Sequence, residues 1–295
     1  MFHGSIVALV TPFTPQGEVD LDTFANLIEW HIEEGTDAII LCGTTGEAPT
    51  LSDQEQEALF RRAVQVSRGR IPLIGGTGTY DTRKSVEKTK KAKEIGLDAC
   101  LVIVPYYNRP TPEGCYLHYQ DVARSGLPVI VYHHPGRTGV TLSAGALTDI
   151  AKIPNIVAIK EASGGLELIK ELDVDIPVFS GDDALTISMM ELGAGGVMSV
   201  IANLIPKEWK EFVSTLEKKD FVQGRALHEK YLSLCNTIAL EPNPQGIKYA
   251  MSLIGKCPSS FRLPLIEPRL ENQEKIQSEI NRFFLEASQK KSSLF

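Results

Sequence analysis

The sequence predicts an α/β chain whose fold is a (β/α)8 TIM barrel with an appended C-terminal helical region. Three observations predict it. Eight short β-branched or aliphatic runs recur up to Val200. None alternates apolar with polar residues as a half-exposed sheet would. Between them lie stretches long enough for crossover helices, so a parallel sheet covered on its outer face is the economical arrangement. Eight such units in succession close a barrel.

The eight strand candidates are residues 5–10, 38–42, 71–75, 99–104, 128–132, 156–160, 177–180 and 196–200. Helix signals fall between them. Asp20 can cap a stretch that puts Leu21, Phe24, Ile28 and His31 on one face, and Ser52-Asp53-Gln54-Glu55 is a capping box that opens the next helix. Gly35, Gly96, Gly126 and Gly193 stand at helix ends before four of the strands, where a left-handed cap needs no Cβ. Residues 206–218 read as the last barrel helix, and from about Asp220 onward there are helix-period segments without strand candidates. The expected division is a catalytic barrel over 1–219 and a helical extension over 220–295. No Gly/Ser/Pro-rich linker separates the two, so the extension is expected to pack on the barrel.

Composition narrows the function classes. Of 295 residues, 43% are hydrophobic and 23% charged, and no apolar run approaches the ~18 residues that cross a membrane as a helix. Thirty basic against 37 acidic residues leave a net charge of −7, without a basic tract, so a nucleic-acid or anionic-membrane surface is not expected. The five cysteines are odd in number and form no CxxC, and Cys42 and Cys100 sit inside apolar runs. Reduced thiols that pack as small hydrophobes, and hence a cytoplasmic setting, follow. The N-terminus has neither a basic n-region nor a small-residue cleavage site and reads as mature structure.

In a barrel the chemistry gathers at the C-terminal ends of the strands. After the second run comes Gly43-Thr44-Thr45-Gly46-Glu47. After the fourth come Tyr106 and Tyr107. Tyr132 ends the fifth, ahead of Pro135-Gly136-Arg137-Thr138, Lys160 ends the sixth, and Gly181-Asp182-Asp183 follows the seventh. An ammonium inside a barrel is poorly solvated, which lowers its pKa and leaves free amine to attack a ketone. The bland alternative is a strand-end lysine paired with Glu161. Tyr132 could supply the proton shuttle that imine formation needs, or could be a rim residue with its hydroxyl in water. The Gly43–Gly46 turn offers amides and hydroxyls suited to a carboxylate, though an ordinary βα turn has the same composition, and it lacks the pattern of a phosphate loop. Arg137 is a fork suited to a second carboxylate, or a solvated surface arginine.

These motifs, with Pro105-Tyr106-Tyr107-Asn108, Ile159-Lys160-Glu161-Ala162 and Glu241-Pro242-Asn243-Pro244, occur in an order and spacing that resembles the dihydrodipicolinate synthase branch of the Schiff-base aldolases. That superfamily also holds N-acetylneuraminate lyase, and the resemblance covers nearly the whole chain. It implies pyruvate bound as a Schiff base on Lys160, Tyr132 as the central proton-transfer residue, and Thr44 and Tyr107 completing a hydroxyl relay. It also implies that Tyr107 serves the neighbouring subunit of a tight dimer and that two dimers form a homotetramer. Thr45 would hold the pyruvate carboxylate, the backbone carbonyl of Met198 would face the reacting centre, and Gly181 would border the substrate. Arg137 would bind the carboxylate of the second substrate, L-aspartate 4-semialdehyde, and the product would be 4-hydroxy-tetrahydrodipicolinate, on the way to diaminopimelate and lysine.

No cofactor or metal is implied, because the iminium is the electron sink. One departure stands beside the site: His133-His134 replaces the Asn and aliphatic residue usual in the family. Neutral imidazoles could preserve the hydrogen bonding there; an imidazolium near Arg137 would alter the acidic limb of the pH profile. Two other functions compete. One is a keto-deoxy sugar acid aldolase using the same lysine and tyrosine, against which Arg137 and Tyr106-Tyr107 argue. The other is a catalytically silent keto-acid sensor, against which the retained hydroxyls argue. In feedback-inhibited relatives lysine binds a cleft whose matching positions here are Ala48, Pro49, Asp53, Gln56, Tyr80 and Lys84, with most gripping groups replaced. Insensitivity to lysine is the expectation.

Overall fold

The computed structural model describes residues 2–292, with side chains as far as Leu285. Strands β1 (Gly4–Ala8), β2 (Ala38–Leu41), β3 (Leu73–Gly76), β4 (Ala99–Ile103), β5 (Val129–His133), β6 (Ile156–Glu161), β7 (Val178–Ser180) and β8 (Gly196–Ser199) run parallel and in sequence order. β8 pairs with β1, from Gly4 opposite Gly196 to Val7 opposite Ser199, and so closes the barrel. Every strand lies within two residues of its sequence-predicted run.

The crossovers are α1 (Leu21–Glu33), α2 (Asp53–Ser67), α3 (Thr82–Ile95), α4 (Pro112–Ala123), the short α5 (Pro135–Thr138) with α6 (Ala144–Ala151), α7 (Glu167–Glu171) and α8 (Thr186–Glu191), followed by α9 (Pro206–Glu217). Their ends are set locally. The Asp20 side chain accepts the Thr23 amide at 2.9 Å. Ser52 and Glu55 exchange hydrogen bonds with each other's amides at 3.2 and 2.8 Å, which satisfies two orphan donors of α2. All four predicted terminating glycines have positive φ, from 78° at Gly35 and Gly126 to 103° at Gly96.

The strands are largely apolar because both of their faces are buried. Inside the barrel, Ile6, Ile40, Ile74, Leu101, Ile130, Ala158, Phe179 and Met198 pack in layers. The alternate residues, among them Val7, Ile39, Cys100, Val131 and Ile159, face the helices. The chain continues into α10 (Phe221–Ile238), α11 (Gln245–Leu253) and α12 (Leu270–Ser292). α10 packs on α8 and α9, α12 packs on α10 and α11, and α11 reaches the 3-10 turn Ile201–Asn203 that follows β8. No helix among the described residues is long and apolar enough to cross a membrane.

Candidate active site

Alternation along β6 sends Ala158 and Lys160 into the barrel and Ile159 and Glu161 outward. Lys160 is opposite Tyr132 of β5 in register, and its Nζ lies 4.6 Å from the centre of that ring. Both side chains are buried. Burial pushes the lysine down to about 8 from its ordinary 10.5; Asp183 opposes the shift and Arg137 adds to it. Burial also raises the Tyr132 phenol, against the pull of Arg137 and of the Thr44 side chain.

The paired-lysine alternative does not hold. Glu161 points to the far side of the sheet, where it accepts the His133 Nδ1–H at 2.6 Å and the Ser163 amide at 2.6 Å. His133 Nε2 in turn accepts the Leu142 amide at 3.1 Å, which fixes the proton on Nδ1 and makes the imidazole neutral. His134 does border the cavity, but burial, then Arg137 and Lys160, push it down to about 4. His133 thus faces Glu161 and Leu142 while His134 faces the cavity, and the two rings do not converge. Among the described residues no group of three His, Cys, Asp or Glu side chains is placed to hold a metal ion.

A cavity of about 350 Å3 opens over the lysine. Six of the eight residues singled out by sequence line it: Thr44, Thr45, Tyr132, Arg137, Lys160 and Gly181. At Gly181 a Cβ would come within 2.6 Å of the Ala162 Cβ and 3.0 Å of the Lys160 Cε, so only glycine leaves the lysine its room. Met198 is fully buried in the inner packing and does not line the cavity. Tyr107 lies outside it as well, 90% exposed and with a φ of 72°. The chain thus does not bring its own Tyr107 to its own Lys160.

The turn after β2 begins and ends on left-handed residues, Cys42 at φ 52° and Glu47 at φ 54°. It carries Thr45 into the cavity, where the Thr45 hydroxyl accepts Asn243 Nδ2–H at 3.0 Å. The Asn243 carbonyl in turn accepts Arg137 Nη2–H at 3.2 Å. The segment between α10 and α11 therefore joins the two carboxylate-binding candidates. Cys235, Asn236, Ile238 and Ala239 of α10 and its end supply further wall. Sequence reasoning assigned no role to these residues, although Asn243 stands in a motif that it singled out.

Asp183, past the end of β7, was likewise noted without a role. Its Oδ2 accepts the Val200 and Ile201 amides at 3.0 and 2.8 Å, and the Ser199 side chain also supports the carboxylate. Burial raises this carboxyl to about 6. The arrangement combines a buried amine of lowered pKa, a phenol beside it, a hydroxyl-bearing turn and a guanidinium. That set can form an imine with a keto acid and move protons around it.

Comparison with known proteins agrees with this chemistry. The chain matches the Dihydrodipicolinate synthetase family over residues 1–283. It is 44% identical over 291 residues to a 4-hydroxy-tetrahydrodipicolinate synthase of Aquifex aeolicus, covering 97% of this chain and 99% of the relative. A 4-hydroxy-tetrahydrodipicolinate synthase of Geotalea uraniireducens is 45% identical over 282 residues, covering 94% and 97%. Among solved structures, the dihydrodipicolinate synthase of Acinetobacter baumannii complexed with pyruvate superposes with a TM-score of 0.93 at 42% identity, covering 96% of this chain and 99% of that one. With its barrel, its buried strand-six lysine and full-length relatives of this kind, the chain belongs to the dihydrodipicolinate synthetase family.

Proposed function

We propose that this chain is a 4-hydroxy-tetrahydrodipicolinate synthase in which Lys160 condenses pyruvate with L-aspartate 4-semialdehyde. The single observation that carries the reading is the buried Lys160 amine, pushed down to about 8 and set 4.6 Å from the Tyr132 ring in a cavity of substrate size. The free amine adds to the keto carbon of pyruvate, and loss of water leaves a protonated imine. That cation withdraws electrons from the methyl carbon, which gives up a proton and becomes an enamine. The enamine carbon attacks the aldehyde, whose oxygen takes a proton. The substrate's own amine then displaces Lys160 and closes the ring. Tyr132, with Thr44, moves protons in both stages. Thr45, which lines the cavity on the Gly43–Glu47 turn, holds the pyruvate carboxylate, and Arg137 takes the carboxylate of the semialdehyde at the mouth. Gly181 borders the reacting atoms.

The exposure of Tyr107 supports a role in a neighbouring subunit, within a homotetramer built from two tight dimers. The five free, buried cysteines suit a reducing, cytoplasmic setting. The barrel, 1–219, and the helical extension, 220–295, act as one catalytic unit, since the extension supplies part of the cavity wall.

The test is turnover with pyruvate and the semialdehyde set against cleavage of keto-deoxy sugar acids. Synthase turnover without sugar-acid cleavage is expected, and the reverse pattern, or no turnover of either, overturns the reading.

A further inference from the structure

Glu47 closes the Gly43–Glu47 turn, and nothing in the reaction uses it. Its side chain is nevertheless fully buried, and its Oε1 accepts Lys248 Nζ–H at 2.6 Å from α11, a residue equally buried. The same ammonium donates to the Ser260 carbonyl at 2.6 Å and lies 4.4 and 4.8 Å from the centres of the Phe13 and Phe261 rings. The second carboxylate oxygen is approached by the Arg262 amide at 3.4 Å. A buried ion pair joining residues 201 positions apart is costly to desolvate and easily replaced by apolar packing, so its presence calls for a reason.

Two features supply one. Glu47 sits at a φ of 54°, which a residue with a Cβ adopts only when its surroundings hold it there. Its carboxylate also hangs from the turn that presents Thr45 to an anion. In a poorly polarisable interior an unopposed negative charge at that place repels a bound carboxylate, and an ammonium in contact cancels it.

We propose that the Glu47–Lys248 pair is an electrostatic device for keto-acid binding: the Lys248 ammonium keeps the Thr44–Thr45 turn electrically neutral beneath the substrate carboxylate. The proposal rests on the reading of Thr45 as the pyruvate carboxylate site. The Asn243–Thr45 hydrogen bond is a second tie from the same C-terminal region to the same turn.

Steady-state kinetics of the full-length enzyme separate charge from packing. Lys248→Met keeps the stem volume but leaves the carboxylate unopposed. It is expected to raise KM for pyruvate about tenfold or more with a smaller change in kcat. Glu47→Gln keeps the shape and the hydrogen bond and leaves any surplus charge positive, so KM stays at or below the wild-type value. The double variant buries no charge and is expected to return KM to within roughly threefold of wild type. An unmoved KM in Lys248→Met, or equal rises in Lys248→Met and Glu47→Gln, overturns the proposal. If Lys248→Met does not fold, the double variant decides, and a tenfold rise there overturns it. Borohydride trapping of pyruvate on the wild-type preparation keeps the two levels apart: absence of that adduct refutes the synthase reading itself.

Discussion

His133 Nδ1 and Glu161 Oε2 lie 2.6 Å apart on adjacent strands, one position beyond the Tyr132–Lys160 pair and on the opposite face of the sheet. The pleat sorts four neighbouring polar groups in two directions. Phenol and amine enter the cavity, while imidazole and carboxylate are buried under the helices. The carboxylate nearest Lys160 in sequence is thereby withheld from it, and among the described residues the amine has no ion-pair partner. Desolvation can then dominate its pKa.

Glu161→Ala removes the acceptor of both the His133 N–H and the Ser163 amide. The buried His133 donor left unsatisfied should cost about 1–3 kcal/mol, read by chemical denaturation, while the Ser163 amide, on an exposed residue, can turn to water. The pyruvate adduct on Lys160 should still form. Its loss in a stably folded variant would show that Glu161 bears on the amine.

The pH dependence follows from the direction of the Lys160 shift. Its folded value, about 8, lies below the ordinary 10.5, so between these limits the unfolded chain binds more protons and this group's contribution to stability rises with pH. The rate of imine formation should rise through about pH 8 and level off above it. Asp183 attracts the ammonium and Arg137 repels it. Asp183→Asn should therefore move the midpoint of imine formation to lower pH, and Arg137→Ala to higher pH. Stopped-flow trapping across the pH range checks both, and shifts of the opposite sign would contradict the assignment.

Most of the barrel was legible because both faces of every strand are buried, which writes each strand as an uninterrupted apolar run. Lys160 stood out for the same reason, as a cation ending such a run. The direction of Glu161 was not legible: strand alternation separates neighbours, but what receives an outward carboxylate depends on His133 in another strand. The cavity wall from α10 and the Asn243 bridge to Thr45 were also hidden. Those contacts span nearly two hundred residues, and helix periodicity says only that a face is apolar, not what it covers.

The positions that the resemblance matches to a lysine cleft are already engaged with one another. Asp53, the one carboxylate among the matching positions, is held by Lys88 at 2.9 Å and Lys84 at 3.7 Å. Lys88 also donates to Gln56 Oε1 at 2.5 Å, and the Tyr80 ring packs edge-on against Tyr106 at 5.4 Å. An added ammonium meets two cations sharing one carboxylate, a net positive charge worth ~1–4 kcal/mol of repulsion at ~4 Å in a wet cleft. Millimolar L-lysine should leave turnover unchanged. Half-inhibition below a millimolar would show that the cleft recruits other groups.

Tyr107 is 90% exposed in the single chain. If it completes a partner's relay, dilution to monomer should abolish most turnover while circular dichroism stays native. Tyr107→Phe should lower kcat without loss of fold, because one hydroxyl is removed and the ring is kept. A fully active monomer in sedimentation and assay would remove Tyr107 from the mechanism.

The central claim is that Lys160 is the amine that holds pyruvate. Intact and peptide mass spectrometry after borohydride reduction in the presence of pyruvate tests it directly. The expected result is one pyruvate-derived mass increment on the peptide that carries Lys160, absent in Lys160→Arg, whose guanidinium does not deprotonate at accessible pH. A pyruvate-dependent increment that persists in Lys160→Arg, or that maps to another lysine, would contradict it.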